Sequence, residues 1–104
     1  MFQLIFLYPP PADVDQFEAD FAAHLVLLHE KAGIPTGSKP YTVTRFMPTP
    51  DGAFVYYLML TLHFETVEAL DAAAESAAMQ ELGTDVYRIS TGGVPGILMG
   101  NAVK

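Results

Sequence analysis

Apolar and polar side chains alternate through Phe54 to Phe64, so that Phe54, Tyr56, Leu58, Leu60, Leu62 and Phe64 form one set and Val55, Tyr57, Met59, Thr61 and His63 the other. Successive residues of a β-strand point to opposite faces, and the first set predicts a face that must be covered. The second set is mixed but still water-averse. It carries hydroxyls and an imidazole among apolar groups, which is the composition of a small-molecule chamber wall. A chain of 104 residues has little left to cover that second face, and a second copy of the protein is the expected cover.

The same pattern, followed along the chain, predicts the remaining elements. Phe2 to Leu7 is an apolar run that reads as a first strand, stopped by Pro9, Pro10 and Pro11, which cannot donate to a ladder. Asp13 stands at a helix N-cap position with Gln16 three residues on, a capping-box pattern, and the helix should end near Lys31 with Gly33 beyond it. At about 100° per residue, Val14, Phe17, Phe21, Leu25 and Leu28 share the stripe that faces a sheet, and Leu27 lies nearly opposite. Tyr41 to Phe46 reads as a second strand. Pro48, Pro50, Asp51 and Gly52 supply turn chemistry before the third. Thr66 caps a helix beginning at Val67, and Ser76 caps a further short helix ending near Gly83. A loop through Asp85, Tyr87 and Arg88 then leads to Thr91, Gly92 and Gly93, and Val94 to Gly100 forms the final strand. The order strand, helix, strand, strand, helix, strand predicts a single α+β domain over residues 1–104, ferredoxin-like βαββαβ, with both helical segments on one face of a four-stranded antiparallel sheet.

Composition narrows the partners. Five basic against twelve acidic side chains give a net charge of −7, with no Lys or Arg cluster to neutralise phosphates, so nucleic acid and anionic membranes are not expected partners. The absence of cysteine removes disulfide and thiolate chemistry and suits a cytoplasmic location. The opening apolar run is too short for a membrane span and lacks the basic leader of a signal peptide.

Several segments carry a resemblance beyond this pattern. Phe2 to Pro9 is similar to the strand-then-Tyr-Pro opening of EthD-domain proteins, and His24-Leu25-Val26-Leu27 resembles that family's His-x-Pro-Leu signature. Tyr57-Leu58 through Phe64, the Leu70 helix, Met79-Gln80, Asp85-Val86 and Thr91-Gly92-Gly93-Val94-Pro95 follow in the family's order and spacing. The resemblance spans nearly the whole chain. Val26 stands where the family usually has proline, so the helix should be less kinked after His24. Membership implies a dimeric α+β barrel, in which two ferredoxin-like sheets pack face to face around a cavity. It implies relatives that include isomerases, dehydratases and cofactor-free monooxygenases, and a founding protein tied to ether degradation beside a monooxygenase system.

Candidate chemistry centres on His24. It lies about 80° from the middle of the apolar stripe, at the border between core and solvent, where an imidazole can reach a cavity as general acid or base or simply bond a backbone carbonyl. His63 shares the mixed strand face with Tyr57, Met59 and Thr61, as a chamber handle or a solvated rim residue. Asp85, which resembles the family's loop aspartate, can orient an imidazole or cap a turn. Tyr8 closes the first strand and could turn its hydroxyl inward. His24 and His29 are five apart and diverge by about 140° on a helix, so no metal site is expected. Neither a phosphate loop nor a dinucleotide fingerprint is present, because Gly92-Gly93 precedes a strand, and no cofactor is expected. The expected protein is a homodimer that takes a small apolar or aromatic molecule, either as a proton-transfer enzyme using His24 together with Asp85 or His63, or as a non-catalytic carrier.

Overall fold

The computed structural model describes residues 1–103, and its elements follow the predicted order. Strand β1 (Phe2–Tyr8) leads to helix α1 (Val14–Ala32), strands β2 (Tyr41–Arg45) and β3 (Leu58–Phe64), helices α2 (Val67–Glu75) and α3 (Ala77–Ile89), and strand β4 (Gly96–Asn101). The strands lie in the order β2-β3-β1-β4 and every pairing is antiparallel. This is the ferredoxin-like arrangement.

Register decides which residues form the core. Leu4 lies opposite both Leu62 and Met99, and Phe6 opposite Leu60 and Ile97. The face shared by Leu4, Phe6, Tyr8, Leu58, Leu60 and Leu62 is therefore continuous, and all six are buried. The helices cover it with Phe17, Phe21 and Leu28 from α1, Leu70 from α2, and Met79, Leu82, Val86 and Ile89 from α3. Each such side chain contributes roughly 1.5–3 kcal/mol by leaving water.

Local chemistry sets the helix ends. Asp13 accepts from the Gln16 amide N–H at 3.1 Å, and Gly33, with φ 68°, closes α1 in the left-handed conformation. The capping box is only half formed, because the Gln16 side chain donates forward to Asp20 at 3.0 Å. Ser76 serves two helices at once: it ends α2 and accepts from the Met79 N–H to start α3.

Strand β4 starts two residues later than expected, at Gly96, not Val94, and two elements differ more deeply from the sequence-based expectation. Helix α3 does not stop near Gly83 but continues to Ile89, since Met79, Leu82, Val86 and Ile89 keep helical spacing and are all buried. Asp85 and Arg88 are thus helical residues and not loop residues. Strand β3 begins only at Leu58, and residues 53–57 are irregular with a bend at Tyr57. The predicted alternation fails there.

The Thr91-Gly92-Gly93 segment is held against the Pro9-Pro10-Pro11 segment. A Cβ on Gly92 would lie 1.7 Å from the Pro10 carbonyl oxygen, so only glycine permits this approach. The Ala12 N–H donates to Thr91 Oγ1 at 3.2 Å and fastens the same contact.

Candidate functional site

His24 stands one helical turn beyond Phe21 on α1, and the two ring systems lie 5.9 Å apart. The sequence placed this imidazole at the border of the core, but it is fully buried, with no exposed surface. Three elements hold it. From β1, the Tyr8 hydroxyl meets Nε2 at 2.8 Å, and from α3 an Asp85 carboxylate oxygen meets Nδ1 at 2.8 Å. The other Asp85 oxygen accepts from Arg88 Nε at 2.6 Å. Phe17 and Phe21 pack edge-on against the Tyr8 ring, with centroids 5.6 and 5.8 Å from it.

The electrostatics fix the direction of the protons. Burial lowers the His24 pKa below its ordinary 6.5, outweighing the Asp85 carboxylate, which pulls the other way. For Asp85, burial acts to raise the pKa, but hydrogen bonds from Arg88 and His24 hold it below the ordinary 3.8. Burial and the nearby Asp85 charge push the Tyr8 phenol well above its usual range. The consistent assignment is a neutral imidazole whose Nδ1–H donates to Asp85, and whose Nε2 accepts from the Tyr8 O–H. A chain of four groups then runs from Arg88, at the surface, to a sealed phenol.

The other predicted site residues are not at this centre. Met59, Thr61 and His63 lie on the opposite, helix-free face of the sheet, as expected from alternation. Ile5, opposite Thr61, and Leu7, opposite Met59, share that face, which no helix covers. His63 is half-buried there, with Nε2 2.8 Å from Thr42 Oγ1. Tyr57 departs from the predicted set. The bend turns it towards the helices, where its ring meets Phe17 edge-on and its hydroxyl donates to Glu18 on α1. Glu18 is also held by Arg45, through Nε at 3.1 Å and a terminal nitrogen at 2.6 Å. The Arg45 bonds set the Glu18 pKa below its ordinary range, and the Glu18 bond raises that of Tyr57. Tyr56 takes the place expected of its neighbour: its hydroxyl lies 3.9 Å from where a Gly96 Cβ would sit, beside Leu7.

The sequence reading therefore joined two groups that the fold separates. Tyr8, His24 and Asp85 belong to the helix side, and Met59, Thr61 and His63 to the bare side. It missed Arg88, whose i,i+3 spacing from Asp85 becomes visible once the helix is continued through Gly83. It also missed a second histidine–tyrosine pair. His29 Nε2 lies 2.7 Å from the Tyr41 hydroxyl, and Nδ1 lies 3.2 Å from the Ile34 carbonyl oxygen. No spacing rule signals a bond between residues on different elements.

No family model and no curated protein matches the chain. Solved structures do. An ethyl tert-butyl ether d (EthD) family protein from Bacillus halodurans C-125 superposes over 99% of this chain and 99% of its own length, with TM-score 0.81 and 26% identity. The chain has an EthD-like fold. The EthD-like chain is also similar to a dimeric ferredoxin-like protein from Jannaschia sp. CCS1, with TM-score 0.67 and 16% identity over 97% of each chain. An antibiotic biosynthesis monooxygenase structure matches over the full length of both, with TM-score 0.59 and 13% identity. At such identities these two carry the fold alone.

Proposed function

We propose that this EthD-like protein is a homodimer whose protomers meet through their helix-free sheet faces, and that the chamber between them binds a small apolar or aromatic molecule. The observation that supports it is the bare face itself. Ile5 and Leu7 on the central strand β1 stand beside Met59 on β3, with half-buried His63 as its polar handle and Thr61 already buried within the face. An apolar sheet face of this kind is normally covered. The similar ferredoxin-like protein from Jannaschia is dimeric, which agrees with a second copy as the cover.

Binding is favoured over catalysis because both ring nitrogens of His24 are engaged and the ring has no exposed surface. A second reading, proton-transfer catalysis such as isomerisation, dehydration or cofactor-free oxygenation, draws on the order phenol, imidazole, carboxylate, which is that of an acid–base relay. In that reading β1 and α1 must part for substrate to reach Tyr8. Turnover of a bound compound by the wild type, and its loss in His24→Gln, would favour this second reading over the first.

The test of the first reading is Ile5→Lys, which places a charge in the centre of the bare face. The wild type should sediment as a dimer at micromolar concentration and retain a small apolar molecule in native mass spectrometry. The variant should be monomeric, folded and empty. A monomeric wild type refutes the proposal.

A further inference from the structure

A cavity of about 370 Å³ opens on the helix side of the sheet, where the end of α1, the end of β3 and the α2–α3 junction meet. Most of its wall is helix-side, and only His63, at the end of β3, also belongs to the bare face. Ile34, Leu62, Phe64 and Met79 wall it, with Leu62 and Met79 belonging to the buried core. The volume falls in the range of small-molecule pockets and suits one aromatic ring or a short alkyl chain, and the flexible Met79 thioether can adapt to either.

Its polar groups are few, and most are already committed. Ser76 Oγ donates to the Ala73 carbonyl oxygen at 2.7 Å and accepts from the Met79 N–H at 3.1 Å. His63 is bonded to Thr42. Lys31 differs. Its ammonium lies 3.2 Å from Glu81, but both side chains are about half exposed, at 47% and 53%, and such pairs contribute little and exchange readily. Arg45 and Arg88, by contrast, are each held by a carboxylate in closer geometry, both at 2.6 Å.

An apolar pocket with one available ammonium at its rim is complementary to an amphipathic anion. We infer that this cavity is a binding site for a small carboxylate with an aromatic or short aliphatic body, the carboxylate taking the Lys31 ammonium now shared with Glu81. The hydrocarbon rests on Leu62, Phe64 and Met79.

Titration with octanoate and with 1-octanol, followed by methyl NMR of Ile34, Leu62 and Met79, tests this. Octanoate should shift the methyl signals of these three residues and bind about tenfold more tightly than 1-octanol, the worth of one charge-assisted contact. Lys31→Met should remove that preference and leave 1-octanol affinity unchanged. Glu81→Gln, by removing the competing carboxylate, should strengthen octanoate binding, a gain that no loss of structure can imitate. Met79→Trp should fill the pocket and abolish both. Shifts confined to other methyl groups, equal affinity for the two probes, or octanoate affinity indifferent to Lys31 and Glu81 each overturn the inference.

Discussion

Replacing Tyr8 by phenylalanine removes one oxygen from a site with no access to water. The phenol has no exposed surface, and its hydroxyl is the partner of a His24 nitrogen that is equally sealed. With the hydroxyl gone, Nε2 becomes a buried acceptor without a donor, which costs about 1–3 kcal/mol. In a domain of this size that corresponds to a fall in Tm on the order of 4–8 °C per kcal/mol. Tyr41→Phe is the matched control. It deletes a hydroxyl making a 2.7 Å bond to His29, but both residues line an open cavity of about 370 Å³, so water can take the lost partner's place. Its cost should be roughly 0.5–1 kcal/mol. Urea unfolding at one fixed protein concentration measures both, with an unchanged slope showing that only stability has moved. If Tyr41→Phe costs as much as Tyr8→Phe, the claim that the buried chain of groups is a sealed, stabilising unit is wrong.

The other predictions concern pH and close packing. Because burial depresses the His24 pKa in the folded state below its ordinary 6.5, the unfolded chain binds the extra proton first; stability is complete above that pH and declines as pH falls below it. His24→Gln should flatten this slope in unfolding curves taken between about pH 7 and 5, the range in which an unperturbed imidazole takes up its proton, and an unaltered slope would show that His24 is not the group responsible. Asp85 adds a second loss at lower pH, since its folded pKa lies below the ordinary 3.8; Asp85→Asn should remove it. Gly92→Ala drives a methyl group into the Pro10 carbonyl oxygen and should destabilise by about 1–3 kcal/mol or more, as overpacking does; a Tm within a degree of the wild type would show that the two loops yield freely.

Hydrophobic periodicity made most of the fold legible. Leu58, Leu60 and Leu62, and Phe17, Phe21 and Leu28, announce the two layers and the faces by which they join. Capping chemistry located Asp13, Gly33, Thr66 and Ser76. The misjudged elements share one cause: a local signal was overridden by packing. Gly83 resembles a helix stop, but burial of Val86 and Ile89 carries α3 past it. Alternation assigned Tyr57 to the bare face, but the pull of Glu18 and Phe17 turns it the other way. The candidate site was legible as a set of residue types and not as an arrangement. Position on α1 gave His24 a border location, because no spacing rule could anticipate that Tyr8 and Asp85, from distant elements, would close over it.

Strand β1 is central in the sheet, and its second neighbour is the last strand of the chain, with Phe2 opposite Asn101. During synthesis β1 can acquire β3 while its other edge stays bare, offering a row of free amides and carbonyls beside Leu4 and Phe6 until β4 leaves the ribosome. An emerging chain with such an edge can recruit strands from its neighbours. The vulnerable period for this protein is therefore the interval between the emergence of β3 and that of β4, and a pause before Gly96 should cost more soluble product than one anywhere between β1 and β3.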